Sequence, residues 1–183
     1  MTDVHRLTLV SHAMTAALAA GRFPADEPLS DIGRRQTEAA AHREVGGEVR
    51  HLSAPEQRAR QTSELLGLQA CTDVRLADLD CRGWRGQPLA GIGPAELQWW
   101  LTDPAAAPHG GESIVELTDR VAGWLKSLTD NATRTIAVTH PAVVRAAILV
   151  ALDAPPKSFW RIDIAPLSQT VLHYRERGWV LHR

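Results

Sequence analysis

Apolar residues cluster at Leu7, Leu9 and Val10 and the run breaks off at Ser11-His12-Ala13. A short apolar run of this kind predicts a strand buried on both faces, with Ser11, His12 and Ala13 at its carboxyl end, where open α/β sheets place their ligands. Thr135-Ile-Ala-Val-Thr-His140 repeats the pattern and leads into an apolar helical segment from about Ala142 to Leu152. Taken alone, either histidine could be an incidental strand end. Two strands that each deliver an imidazole to one sheet edge predict a single site.

Between them the periodicity alternates. Met14 to Ala20 predicts a short helix and residues 21–28, with Gly21 and two prolines, a loop. Ser30 reads as the N-cap of a helix to about Glu44, stopped by Gly46-Gly47. Val49 to Ser53 predicts a strand, Glu56 to Leu66 a helix with Pro55 in its first turn, and Thr72 to Leu76 a further strand. Asp78 to Gly86 is too rich in glycine and charge for a core element and predicts a functional loop. Pro94 to Leu101 predicts a short helix, and Pro104 to Gly111 a loop. Ile114, Leu117, Val121, Leu125 and Leu128 carry the three-and-four spacing of an amphipathic helix over Glu112 to Leu128. After a break at Asp153-Ala-Pro-Pro, the runs Phe159 to Ile164, Thr170 to Tyr174 and Trp179 to Leu181 predict strands, the last two joined by a turn at Arg177-Gly178. Strands alternating with helices imply an α/β three-layer sandwich, a mainly parallel central sheet with helices on both faces.

Composition narrows the partners. A chain of 183 residues fits one domain that buries about 70% of its unfolded surface, so folding requires neither metal nor disulfide. Net charge is −1 and dispersed, which argues against nucleic acid and against a membrane surface. The two cysteines, Cys71 and Cys81, form no CxxC pair and lie far from any histidine cluster with metal spacing. They predict reduced thiols in a cytoplasmic protein without structural zinc. No apolar segment approaches a membrane span.

Ser11-His12-Ala13 stands where the phosphoglycerate-mutase-like branch of the histidine phosphatase superfamily has Arg-His-Gly, and further motifs follow in the family's order. Pro28-Leu-Ser-Asp-Ile-Gly-Arg-Arg-Gln36 resembles its Pro-Leu-Thr-x-x-Gly-x-x-Gln. Ser53-Ala-Pro-Glu-Gln-Arg-Ala-Arg-Gln-Thr62 resembles Ser-Ser-Pro-Leu-x-Arg-Ala-x-Gln-Thr. Asp78 to Gly86 is similar to an acidic loop ending Trp-Glu-Gly, Gly110-Gly-Glu-Ser113 to the segment before the penultimate helices, and Thr139-His140 to Ser-His-Gly-Gly. The resemblance implies a phosphatase without metal or cofactor, acting on a small-molecule phosphate ester. His12 would be the nucleophile that carries the phosphoryl group, a chemistry open to a neutral imidazole. Arg58 would offer its planar fork to phosphate oxygens, and His140 would donate to the phosphoryl charge from across the site. Asp78 would protonate the leaving alkoxide, a role that calls for a raised pKa; Asp80 is the alternative. Ser11 and Arg22 complete the implied phosphate contacts. A homodimer is compatible with the sequence.

Departures from the family pattern matter equally. Ser11 replaces the family's arginine, Leu18 an asparagine, and Pro141 removes a backbone N–H after the second histidine. Losing one preorganised donor costs about 10²–10³ in rate, so Arg22, Arg82 and Arg85 are candidates to compensate. Trp84, Trp99 and Trp100 are expected in the core or at a pocket rim, and Arg145 on a helix with a structural salt bridge. Three functions stay open: a phosphomonoesterase, of which an α-ribazole-phosphate type is one version; a degenerate phosphatase that binds a metabolite or regulates; and, less well matched in length, a phosphoglycerate mutase.

Overall fold

The computed structural model describes residues 5–41, 49–129, 134–176 and 178–182. Its centre is the strand β1 (His5–Ser11), whose Leu7 and Leu9 are fully buried, as the apolar run requires. Along the chain follow α1 (Ala16–Ala19), α2 (Asp31–Ala40), β2 (Val49–Ser53), α3 (Gln57–Leu65), β3 (Cys71–Thr72), α4 (Pro94–Thr102), α5 (Ile114–Ser127), β4 (Arg134–Thr139), α6 (Pro141–Ala151), β5 (Gln169–Arg175) and β6 (Gly178–His182). The sheet order is β3-β2-β4-β1-β5-β6. The first four strands in that order pair in parallel, and β5 and β6 add an antiparallel edge. Ser11 stands opposite Thr139 in the β1–β4 register, so His12 and His140 leave neighbouring strands at the same end.

Local chemistry sets most boundaries. Ser30 caps α2 by accepting from Gly33 N–H, and α5 opens on a capping box between Ser113 and Glu116, two residues later than the apolar spacing suggested. Gly33 lies so close to the Met14 carbonyl that a Cβ would collide with it, and Gly111 meets the Asp80 carbonyl in the same way. Those two approaches hold the segment after His12 against α2, and the charged loop against the chain leading into α5.

Three expectations need correction. Phe159 to Ile164 is not a strand: Pro155-Pro156 starts a 3₁₀ turn over Pro156–Arg161 that drives Phe159 into the core. Of Thr72 to Leu76, only Cys71–Thr72 pairs with β2, because the Asp73 side chain accepts from Arg75 N–H and turns Val74–Leu76 into a 3₁₀ helix. The first helix spans only Ala16–Ala19, capped by Thr15. The expected end of α2 near Glu44, the Gly46-Gly47 stop and Arg177 lie outside the described residues. Among the described residues no helix is long and apolar enough to cross a membrane.

Candidate active site

The carboxyl ends of β1 and β4 are clamped before any side chain reaches the site. His12 N–H donates to the Thr139 carbonyl at 2.9 Å, and Ala13 N–H to Thr62 Oγ1 at 3.0 Å, while the Thr62 hydroxyl donates to the Arg58 carbonyl in α3. Thus β1, β4 and α3 are fixed to one another at this point. The two imidazoles stand edge to face with centroids 5.2 Å apart.

His12 has a defined tautomer. Its Nδ1 lies 2.7 Å from the Ala13 carbonyl oxygen, which can only accept, so Nδ1 carries the proton and Nε2 the lone pair. Burial, then the charges of His140 and Arg58, push its pKa down to about 4, against a weaker upward pull from the Ala13 carbonyl and Asp78. The ring is neutral at pH 7.

Around it stands a network in which Arg58 and His140 alternate with the carboxylates of Asp78 and Glu56. Arg58, with its side chain 3% exposed, donates to Asp78 Oδ2 at 2.6 Å. His140 is fully buried between two acids, with Nε2 2.7 Å from Glu56 Oε2 and Nδ1 3.5 Å from Asp78 Oδ2. Glu56 Oε1 also accepts the Asp78 N–H at 2.9 Å. Burial pushes the Asp78 carboxyl up, but the charges of His140, Arg58 and His12 outweigh it and hold its pKa down to about 2. This reverses the expectation of a raised value: the cation and the acid of the implied site are paired with each other.

Sequence reasoning missed Glu56. It is the N-cap residue of α3, yet its carboxylate makes no capping bond, and Asp26 Oδ1 takes the Gln57 N–H instead. An acidic residue two positions before Arg58, at the family's leucine, was the available signal.

A cavity of about 200 Å³ is lined by His12, Arg58 and Asp78 together with an aromatic wall of Phe23, Trp100, Phe159 and Trp160. Trp100 is on this wall, while Trp84 lies behind it in a ring cluster with Phe23 and Trp99 is 52% exposed. Arg22 is exposed at the rim. Ser11 is fully buried, does not line the cavity, and its hydroxyl has no hydrogen-bond partner among the described residues. Asp80 lies outside the cluster, paired with Arg85 at 2.8 Å and near Arg82 at 3.6 Å. Arg145 also lines the cavity and, contrary to expectation, makes no salt bridge among the described residues; its Nε donates to the Ile162 carbonyl at 2.7 Å. Cys71 and Cys81 are free thiols, and burial pushes Cys81 up to about 12.

The sequence profile of the histidine phosphatase superfamily (branch 1) matches residues 7–183. The chain belongs to this superfamily. As a branch-1 member it is 28% identical over 186 residues to a probable phosphoglycerate mutase, GpmB, of Yersinia pestis, covering 94% of this chain and 86% of that protein. Its structure is similar to mycobacterial glucosyl-3-phosphoglycerate phosphatase, with a TM-score of 0.80 at 25% identity over 97% of each chain. It is also similar in fold to phosphoserine phosphatase from Entamoeba histolytica, with a TM-score of 0.88 at 20% identity over 98% of this chain and 95% of that one. The α/β fold, with its mainly parallel six-stranded sheet, is therefore that of a phosphoglycerate-mutase-like superfamily member.

Proposed function

We propose that this chain is a phosphomonoesterase that hydrolyses a small phosphate ester through a phosphohistidine on His12, without a metal. One observation carries the reading: the Ala13 carbonyl holds the proton on Nδ1 and burial keeps the ring neutral, so Nε2 offers its lone pair to the cavity. The chemistry then runs in two steps. Nε2 attacks phosphorus in line as the ester bond breaks, Arg58 and His140 meet the charge on the phosphoryl oxygens, and Asp78 gives a proton to the leaving alkoxide. Water then attacks the phosphohistidine with Asp78 taking its proton, and His12 returns to its starting state.

With Asp78 down at about 2 and His12 at about 4, the form with neutral His12 and protonated Asp78 is a minor species of the free protein. Binding changes this balance. A phosphate dianion that takes Arg58 away from Asp78 removes one of the charges holding the carboxyl down and adds a like charge beside it, and both raise its pKa. The test is a phosphatase assay over a metabolite panel at acid and neutral pH, with chelator present, on the wild type and His12→Ala. Turnover lost in His12→Ala supports the reading, and turnover unchanged in it overturns the assignment.

A second reading is favoured by the pairing itself. Arg58 is engaged by Asp78, His140 by Glu56, and position 11 is neutral, which suits a superfamily member that keeps the pocket as a metabolite-binding or regulatory site. A wild type that binds inorganic phosphate or vanadate yet turns over nothing in the panel would establish this second reading.

A further inference from the structure

A phosphate pocket without a cation at position 11 needs one from elsewhere, and most nearby arginines are committed. Arg58 is held by Asp78, Arg120 by Glu112 and the carbonyls of Arg75 and Ala77, and the exposed Arg82 and Arg85 face Asp80. Arg22 is exposed at the rim, where water and side-chain freedom weaken its hold on an anion.

Arg145 differs from all of these. It is half-buried on α6, the helix that starts beside His140, and it lines the same cavity as His12, Arg58 and Asp78. Its Nε is tied to the Ile162 carbonyl, and its guanidinium carbon lies 5.5 Å from the Phe159 ring centroid and 5.7 Å from that of Trp160. Those contacts orient the fork, while the terminal amines have no hydrogen-bond or ion-pair partner among the described residues. Asp163 and Asp78 lie near enough to act on its charge, yet neither pairs with it. Taking a cation partly out of water without an anion is unfavourable. A preoriented, unpaired guanidinium on the wall of a cavity is what an anion-binding site requires.

We propose that Arg145 is a phosphate-binding residue of this site: anchored by the Ile162 carbonyl and the rings of Phe159 and Trp160, it supplies from α6 the cation that position 11 lacks. Its fork grips oxygens of a phosphoryl group whose phosphorus faces His12 Nε2. The inference rests on the reading that a phosphoryl group binds at His12, and it does not require turnover. The aromatic wall restricts the rest of the ligand to a compact body, with the anion held among His12, Arg58 and Arg145, which line the same cavity.

Calorimetry on the full chain with orthovanadate and with inorganic phosphate tests it. Arg145→Gln should weaken both about 10- to 100-fold, the loss of hydrogen bonds to a charged group, and flatten the salt dependence of binding, while Arg85→Gln changes neither. Arg145→Lys keeps the stem on the two rings, so it guards against misfolding of the glutamine variant. It should still lose several-fold, because an ammonium cannot span two oxygens as a fork does. Vanadate affinity within twofold of wild type in folded Arg145→Gln or Arg145→Lys overturns the proposal. It does so even if KM for a charged ester rises, since Arg145 would then bind a different group. Esters hydrolysed by the wild type with vanadate unmoved in Arg145→Gln would sink this inference alone. No ester hydrolysed, with vanadate lost in Arg145→Gln, would sink the phosphatase reading alone.

Discussion

Replacing Arg58 by methionine isolates the energetics of the central ion pair. Methionine keeps a long unbranched stem in α3 and removes the guanidinium, leaving the Asp78 carboxylate in a mostly enclosed site with its 2.6 Å partner gone. Breaking a buried pair by removing one member costs about 3–5 kcal/mol. The low end, about 3 kcal/mol, is expected here because the Asp78 side chain keeps 18% exposure and has His140 Nδ1 at 3.5 Å. Asp78→Asn should cost less, since its amide oxygen can still accept from Arg58, and the loss in the double variant should be smaller than the sum of the two single losses by about 1–3 kcal/mol of coupling. The pH dependence has a definite sign. In the wild type Asp78 titrates at about 2 rather than its ordinary 3.8, so the stabilisation is complete above 3.8 and is lost as pH falls toward 2. In Arg58→Met the carboxyl loses a charge that held it down, its pKa moves up, and the charge becomes a penalty that protonation relieves. The gap between the two proteins is widest near neutrality and narrows in acid. Urea unfolding at pH 7 and pH 4.5 measures it. A loss below 1 kcal/mol at pH 7, or a gap that grows in acid, would refute the reasoning.

Further outcomes follow from the same network. Asp78→Asn should slow alkyl phosphate hydrolysis far more than that of p-nitrophenyl phosphate, whose phenolate needs little protonation, with Asp80→Asn having little effect; steady-state kinetics on both esters checks this, and the reverse pattern moves the acid to Asp80. Long-range ¹H–¹⁵N spectra at pH 6 should show His12 neutral with its proton on Nδ1 and a titration midpoint near 4; a midpoint near its ordinary 6.5 would contradict the desolvated site. Because that value is depressed, His12 binds fewer protons folded than unfolded between pH 6.5 and about 4, so removing it in His12→Ala should flatten the fall in stability across that window, as urea titrations can measure. Glu56→Leu leaves a buried imidazole N–H without its acceptor and should cost about 1.5–3 kcal/mol, with Glu56→Gln costing less; equal losses in thermal unfolding would mean that the carboxylate is not what holds His140.

Local signals account for much of what was legible in the sequence. Apolar runs place β1 and β4, the Ser30 cap marks α2, the three-and-four apolar spacing marks α5, and the two histidines fall at one sheet edge because both strands are parallel neighbours. What was hidden depended on partners distant along the chain. Glu56 acts on a histidine 84 residues away, and its position at the start of α3 reads as an unremarkable first turn. Burial alone predicts a rise in the Asp78 pKa, whereas the charges that reverse it come from α3, the residue after β1 and the N-cap of α6. The run from Phe159 to Ile164 has strand composition, but the two prolines before it dictate a 3₁₀ turn. Arg145 looks like an ordinary helix cation until the fold lays it against Phe159 and Trp160.

The most direct test of the central claim is to trap the intermediate. The protein mixed with a ³²P-labelled phosphate ester it hydrolyses, then denatured in alkali within the turnover time, should retain phosphate that is stable to base and released by acid, as a phosphohistidine is. Mass spectrometry of the peptide spanning His12 should place it there, and His12→Ala should carry none. A label on another residue, or turnover with no acid-labile label at any quench time, would contradict a phosphohistidine mechanism at this site.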